Sequence, residues 1–198
     1  MAYFNIVAQS SESTVVTEYN PQAKRSEAYQ SEADLERGFI RLLKELGYEY
    51  LTIHKEKDLV DNLRLQLEAV NDYRFSDEEW GRFFSEVLAN PKSGIVEKTR
   101  LIQEDFVQVL RRDDGSSKNI TLFDKKNIHN NRLQVINQYA VSKEEGAAHD
   151  NRYDVTVLVN GLPMVHIELK RRGVPIREAF NQIDRYQRDS FWAASMTG

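Results

Sequence analysis

Apolar residues recur every three or four positions over residues 31–47, and this spacing predicts an amphipathic helix. Ser31 stands at the start, where its hydroxyl can cap the helix, and Asp34 lies at the matching position of a capping box. Gly47 marks the end, because glycine readily takes the left-handed conformation that terminates helices. The stripe predicted to be buried consists of Leu35, Phe39, Leu42, Leu43 and Leu46.

A second helical pattern covers residues 58–90 and follows a strand predicted over residues 48–54. Its last part, SDEEWGRFFSEVL, begins at a cap that is either Ser76 or Asp77. The side chains that this part is predicted to bury are Trp80, Phe83, Phe84, Val87 and Leu88.

Alternation of apolar and polar residues predicts strands in the second half of the chain. The predicted elements there are a hairpin over residues 104–124 that turns at 113–117, a strand over 132–141, a hairpin over 153–170 and a helix from Pro175. Residues 1–30 are polar and mixed, and they predict a short strand or an ordered tail. The order helix, strand, insertion, strand, hairpin, helix fits an α/β sandwich around a small mixed sheet.

The loop of the hairpin over residues 153–170 decides which side chains face each other, because a slip of one residue moves every side chain to the other face. A two-residue turn at residues 160–161 would set Asp154 opposite Ile167 and place a histidine among the valines. A three-residue loop would instead set Asp154 opposite Glu168. It would make the apolar pairs Val159 with Pro163, Val157 with Val165 and Val155 with Ile167. The apolar pattern favours this register, and therefore a loop that is odd in length or bulged.

Two carboxylates that face each other repel unless a cation lies between them. Carboxylate oxygens in this arrangement suit Mg²⁺, and Lys170 stands near enough to act on a water or on a phosphate. The alternative interpretation is an ordinary surface salt bridge between Lys170 and either Glu168 or Asp154.

Composition narrows the possible classes of protein. The chain of 198 residues is 40% hydrophobic and 29% charged, which is typical of a folded domain. It has no cysteine, so disulfides and thiolate metal sites are excluded and a reducing, cytoplasmic setting is expected. We expect neither a signal peptide nor a membrane span, because the start lacks a basic segment and no apolar run is long enough.

Charge is unevenly distributed along the chain. The net charge is −4, yet residues 151–198 hold seven Lys and Arg against five Asp and Glu. A basic end can contact phosphates, although the same pattern is also typical of a solvated helix.

The hairpin resembles the core of PD-(D/E)xK nucleases, with Asp154 followed by Glu168-Leu169-Lys170. The longer stretch NRYDVTVLVNGLPMVHIELKRRG resembles the N-terminal nuclease domain of the restriction subunit of type I restriction-modification enzymes. The resemblance extends from Ser31 to Trp192 and is most specific over residues 151–192. It implies a restriction-endonuclease-like α/β fold in a single domain, with a core of residues 31–57 and 100–192 and a helical insertion of about 58–99.

The resemblance also implies roles for single residues. Asp154, Glu168 and the Leu169 carbonyl would bind Mg²⁺, and Lys170 would be the catalytic lysine. The residues implied to orient or contact DNA are Gln182, Tyr186, Arg171, Arg172, Arg185 and Arg188. The family has a glutamate on its first core helix, for which Glu36 is the first choice and Glu32 the reserve. Tyr153 departs from the motif, which has proline at that position.

The partners implied are double-stranded DNA and the methyltransferase and specificity subunits of a type I complex. Such restriction subunits use ATP in a translocase, and no Walker A motif occurs in this sequence. We therefore expect the chain to be a piece of a larger protein.

Two other functions remain open at this point. A non-catalytic module could keep the fold and dock on DNA or on partner subunits, with residues 58–90 as the docking surface. A Holliday-junction resolvase would share the motif, but the acidic balance of residues 1–150 disfavours it.

Overall fold

The computed structural model describes residues 3–9, 15–20, 31–141, 151–171, 173–175 and 177–178. Contacts divide the chain into two compact units, residues 1–30 and residues 31–198. In the first unit, strands β1 (Tyr3–Gln9) and β2 (Val15–Asn20) pair antiparallel, so the described part of this segment contains two strands where the sequence predicted one strand or a tail.

Helix α1 (Glu32–Glu45) opens the second unit as predicted. Ser31 and Asp34 form the reciprocal capping box, and Gly47 has the left-handed φ of 92° expected just beyond the helix end. Leu43 is buried, and Phe39 packs beside it against the sheet. The prediction was wrong for Leu42 and Leu46, which are 50% and 66% exposed, because the helix turns a narrower face to the sheet than its apolar stripe.

The segment predicted as an insertion is helical, and a hairpin follows it. The helical elements are α2 (Glu56–Asn71), α3 (Asp77–Phe83), a π-helical turn (Phe84–Leu88) and α4 (Ile95–Gln103). The hairpin that follows consists of β4 (Val107–Arg111) and β5 (Ser117–Thr121). Ser76 caps α3 through a capping box with Glu79. Trp80, Phe83 and Leu88 are buried as predicted, and the Phe84 and Val87 side chains are partly buried against them.

Over the described residues, the central sheet has four strands in the order β3, β6, β7, β8. The strands are β3 (Glu49–Tyr50), β6 (Leu133–Val141), β7 (Asn151–Val159) and β8 (Leu162–Ile167), with a 3-10 turn (Ile128–Asn130) before β6. β3 runs parallel to β6 and the other pairs are antiparallel, so the predicted mixed sheet is confirmed. The predicted length of the strand over residues 48–54 was wrong, because β3 consists of two residues.

Helices and hairpin cover the two faces of this sheet with separate apolar clusters. The α1 face is centred on Leu43, Val135 and Val155. The other face packs Ile136 and Leu158 against the helical segment, where the α2 side chains Leu59, Leu63 and Leu67 are fully buried. Burying one leucine stabilises the fold by about 2 kcal/mol, so the α2 stripe holds this segment firmly on the sheet.

The predicted helix from Pro175 lies almost entirely outside the described residues. Within the described part of the chain, no helix is both long and apolar enough to cross a membrane.

Candidate active site

A bulge sets the register of the hairpin formed by β7 and β8. Asn160 and Gly161 form a two-residue turn with φ values of 51° and 80°, so Val159 pairs with Leu162 and the predicted three-residue loop is wrong. The register then shifts by one residue at Met164. Beyond this bulge the predicted pairs Val157 with Val165 and Val155 with Ile167 are both present.

Continued by one step, this register sets Asp154 across from Glu168. A hydrogen bond links β7 to the segment that follows β8, because the Leu169 N–H donates to Asp154 Oδ2 over 2.9 Å. Asp154 is half-buried. The prediction of an odd or bulged hairpin is confirmed.

Glu168 and Lys170 form an ion pair beside Asp154, with Nζ donating to Oε1 over 2.6 Å. The Glu168 side chain is 3% exposed and that of Lys170 is 21% exposed, so this is not the surface salt bridge of the alternative interpretation. Burial raises the pKa of Glu168, the bond from Lys170 opposes this, and the charge of Asp154 adds to it. Burial alone would lower the pKa of Lys170, but the surrounding carboxylates outweigh it and raise that pKa.

The two candidate glutamates of helix α1, Glu32 and Glu36, both bind groups near the end of the sheet that carries Asp154 and Lys170. Glu36 accepts hydrogen bonds from the side-chain amides of Asn137 and Gln138 on β6. Glu32 accepts a long 3.4 Å bond from the Arg171 N–H, and its charge contributes to the raised pKa of Lys170. Sequence reasoning missed Asn137 and Gln138, whose signal was a pair of consecutive polar residues inside a largely apolar strand.

The donor set suits a hard divalent cation. Asp154 and Glu168 offer carboxylate oxygens and Leu169 a main-chain carbonyl, which are ligand types that Mg²⁺ accepts. Among the residues that the structure describes, no three His, Asp or Glu side chains group closely enough for a metal site. A metal held by two carboxylates and a carbonyl would have coordination positions left for water and phosphate oxygens.

Most of the residues implied to contact DNA lie outside the described part of the chain. These are Arg172, Gln182, Arg185, Tyr186 and Arg188. Arg171 is described and exposed, directly beyond Lys170.

A family model for the type I restriction enzyme R protein N terminus matches residues 29–196. The chain belongs to this family. The match to the R protein N-terminal family includes every residue that the sequence analysis assigned to the site, from Glu32 to Arg188.

Relatives of this R protein N-terminal domain are named as endonuclease subunits of type I restriction enzymes. The type I restriction enzyme EcoprrI endonuclease subunit of Escherichia coli is 50% identical over 186 residues, which is 93% of this chain and 58% of that protein. The SauMSSORF170P endonuclease subunit of Staphylococcus aureus is 40% identical over 169 residues, or 83% of this chain and 17% of that protein. The chain thus spans little more than half of the first relative and about a sixth of the second.

Proposed function

We propose that this chain is a Mg²⁺-dependent endonuclease domain of the PD-(D/E)xK fold that hydrolyses DNA phosphodiester bonds within a type I restriction enzyme. One observation carries the proposal: the bulged hairpin sets Asp154 across from a buried Glu168 that is paired with Lys170. A buried carboxylate whose pKa is raised by burial and by a neighbouring acid gains from a bound cation.

Each residue then has a distinct task. Asp154, Glu168 and the Leu169 carbonyl would hold Mg²⁺, whose chemistry is to polarise the scissile phosphate and to acidify a water. Lys170 keeps its charge at neutral pH because its pKa is raised, so it can orient that water or stabilise charge that develops at phosphorus. Glu36 is the further acid that α1 contributes.

Contacts with DNA would come from the chain after β8. Arg171 lies one residue beyond the catalytic lysine and is exposed, so it can reach a phosphate without carrying sequence information. Gln182 and Tyr186 would orient the strand, with Arg172, Arg185 and Arg188 as further phosphate contacts.

The proposed setting is the cytoplasm, in an assembly with methyltransferase and specificity subunits. ATP-driven movement of DNA would come from a motor region of the parent protein, outside this chain. The family membership and the names of the relatives support this setting.

The test is plasmid cleavage by the parent assembly, with Mg²⁺ and ATP and with Asp154, Glu168 and Lys170 replaced singly by alanine. We expect each variant to lose at least about 100-fold of its cleavage rate. ATP hydrolysis should stay unchanged, because the motor is untouched. Mn²⁺ binding, followed by paramagnetic resonance, should weaken in Asp154→Ala and Glu168→Ala and persist in Lys170→Ala.

The matched control is Lys92→Ala, which removes an exposed lysine from the turn before α4 and should cleave like the wild type. Near-normal cleavage by Lys170→Ala would remove that lysine from the mechanism. Near-normal cleavage by all three variants, with DNA binding retained, would favour the non-catalytic docking module.

A further inference from the structure

Gln138 has a backbone conformation that is rare inside a strand. Its φ is 51°, in the left-handed region, although it lies in the middle of β6. Among the described residues, the other non-glycine cases are Asp72 at the end of α2 and Asn160 in the hairpin turn, where such values are ordinary. A left-handed glutamine within a strand is strained, and such strain persists where the surrounding structure holds it.

The conformation lets two consecutive residues bind one carboxylate. Asn137 Nδ2 donates to Glu36 Oε1, and Gln138 Nε2 donates to Glu36 Oε2. In a regular strand, neighbouring side chains point to opposite faces, so both amides could not reach the same group. The left-handed residue removes that restriction.

Packing along β6 shows the same break in alternation. Val135 belongs to the apolar cluster on the α1 face, and Ile136 belongs to the cluster on the other face. Regular alternation would return Tyr139 to the α1 face, yet Tyr139 packs in the cluster of Ile136. The alternation of side chains between the two faces of the sheet is therefore interrupted at Gln138.

A second hydrogen bond fixes the Asn137 amide. The Tyr50 hydroxyl on β3 donates to Asn137 Oδ1 over 2.8 Å, which leaves the NH₂ group of Asn137 for Glu36. Both oxygens of Glu36 are thus held by groups of β6, although Glu36 itself stands on α1.

The register of the sheet brings the Asn137 and Gln138 amides, and the Glu36 carboxylate that they bind, to the proposed metal-binding position. The pairs Asn137 with Val155 and Tyr139 with Tyr153 flank one unpaired step, at which Gln138 stands across from Asp154. The strained residue and the metal-binding acid therefore occupy the same rung of β6 and β7.

We infer that Gln138 is a positioning residue, which together with Asn137 holds the Glu36 carboxylate at the rung of β6 and β7 that carries Asp154. This inference rests on the proposed nuclease function and deepens it. It identifies Glu36 as the acid that α1 contributes and favours it over Glu32, because the hydrogen bond that Glu32 accepts from the Arg171 N–H is long.

The test separates positioning from stability by replacing Gln138 with glycine in the parent assembly. Glycine adopts a left-handed φ without strain, so Gln138→Gly should melt at the same temperature as the wild type or higher. Without the amide, we expect cleavage to fall by about 10- to 100-fold and half-maximal cleavage to need about 10-fold more Mg²⁺. Mn²⁺ binding should weaken in parallel. Gln138→Asn, which tolerates the same φ and keeps an amide, should recover part of the loss.

Two comparisons decide the outcome. The double variant Glu36→Ala with Gln138→Gly should cleave no more slowly than Glu36→Ala alone, because Gln138 acts through Glu36. Gln108→Ala, on β4, is the matched control and should cleave normally. If Gln138→Gly cleaves like the wild type while Asp154→Ala is inactive, the inference fails and the proposed function stands. If Asp154→Ala is also active, the proposed function fails with it.

Discussion

Two buried glutamates show how neighbouring groups decide the role of a single residue. Glu168 is buried with one strong donor and an acid beside it, and burial raises its pKa. Glu79 is 5% exposed, yet its pKa is lowered, because the effect of burial is outweighed by bonds from the Tyr73 hydroxyl and the N–H groups of Ser76 and Asp113. A buried carboxylate that accepts several hydrogen bonds stabilises the fold, whereas a buried carboxylate with few hydrogen-bond donors gains stability from a bound cation.

Replacing Glu79 with glutamine should therefore destabilise the protein. An amide NH₂ would face one of the N–H or O–H donors that the carboxylate now accepts, and we expect a loss of about 2 kcal/mol in the free energy of unfolding at pH 7. Because the folded pKa of Glu79 is depressed, its contribution is present above the unfolded pKa of about 4.3 and is lost as pH falls through the folded pKa. Urea unfolding at neutral and at acidic pH measures this.

Glu78→Gln is the control for that experiment, because Glu78 lies next in the chain and is exposed. Its free energy of unfolding should stay within about 0.5 kcal/mol of the wild type. A Glu79→Gln variant whose deficit were the same at both pH values would show that the carboxylate charge is not what stabilises the fold.

The sequence could predict the residues that belong to a sequence motif. It could not predict residues whose role depends on an unusual backbone conformation or on contacts made in the folded structure. The alignment of Asp154, Glu168 and Lys170 could be predicted, because a pattern of valines sets the register of the hairpin. Gln138 could not be found, because a left-handed φ leaves no regular spacing in the sequence. For Glu79, the three-residue spacing from Ser76 is readable as a capping box, but the bond from the Asp113 N–H depends on the fold.

At the scale of elements, the hairpin of β7 and β8 shows that the same alignment can be reached by a different turn. The apolar pattern predicted the pairs near the site, while the turn chemistry of Asn160 and Gly161 demanded a two-residue loop. The bulge at Met164 satisfies both requirements. Alternation of side chains cannot predict where an extra residue is accommodated, so the pairs nearest the turn were wrong.

Gly161 should be intolerant of any side chain. A Cβ at this position would lie 2.6 Å from the Cα of Leu63 on α2, and its φ of 80° disfavours other residues. We expect Gly161→Ala to lower the free energy of unfolding by at least about 2 kcal/mol, since backbone strain and overpacking add. Thermal or urea denaturation measures the change.

Gly38→Ala is the matched variant within α1. A Cβ there meets nothing within 4 Å, and alanine is favoured over glycine in a helix, so stability should rise by about 0.5 to 1 kcal/mol. Equal effects of the two substitutions would contradict the close approach of the hairpin turn to α2.

At the scale of the whole molecule, the order of elements from α1 to β8 was predictable because long periodic segments dominate it. The exposure of Leu42 and Leu46 was not, because the width of a buried face depends on how the helix lies on the sheet. The division into residues 1–30 and 31–198 likewise depends on contacts that no local pattern encodes.

The 198-residue chain alone should fold and yet cut DNA poorly. Its net charge of −4 gives little long-range attraction for a polyanion. Two carboxylates without DNA phosphate should also hold Mg²⁺ weakly, because Mg²⁺ keeps its waters and relies on substrate oxygens. Circular dichroism checks folding, and incubation with supercoiled plasmid and Mg²⁺ or Mn²⁺ at low and moderate salt checks cleavage. Rapid cutting without ATP or partner subunits would indicate a stand-alone nuclease.

The close approach of Gly161 to Leu63 also has a consequence for how these domains evolve. The turn between β7 and β8 touches the backbone of α2, so the position of the helical segment is tied to that of the hairpin. Across related sequences, substitutions at position 161 should be accompanied by changes in α2 around position 63. Lineages that lost this helical segment should be free to vary at position 161.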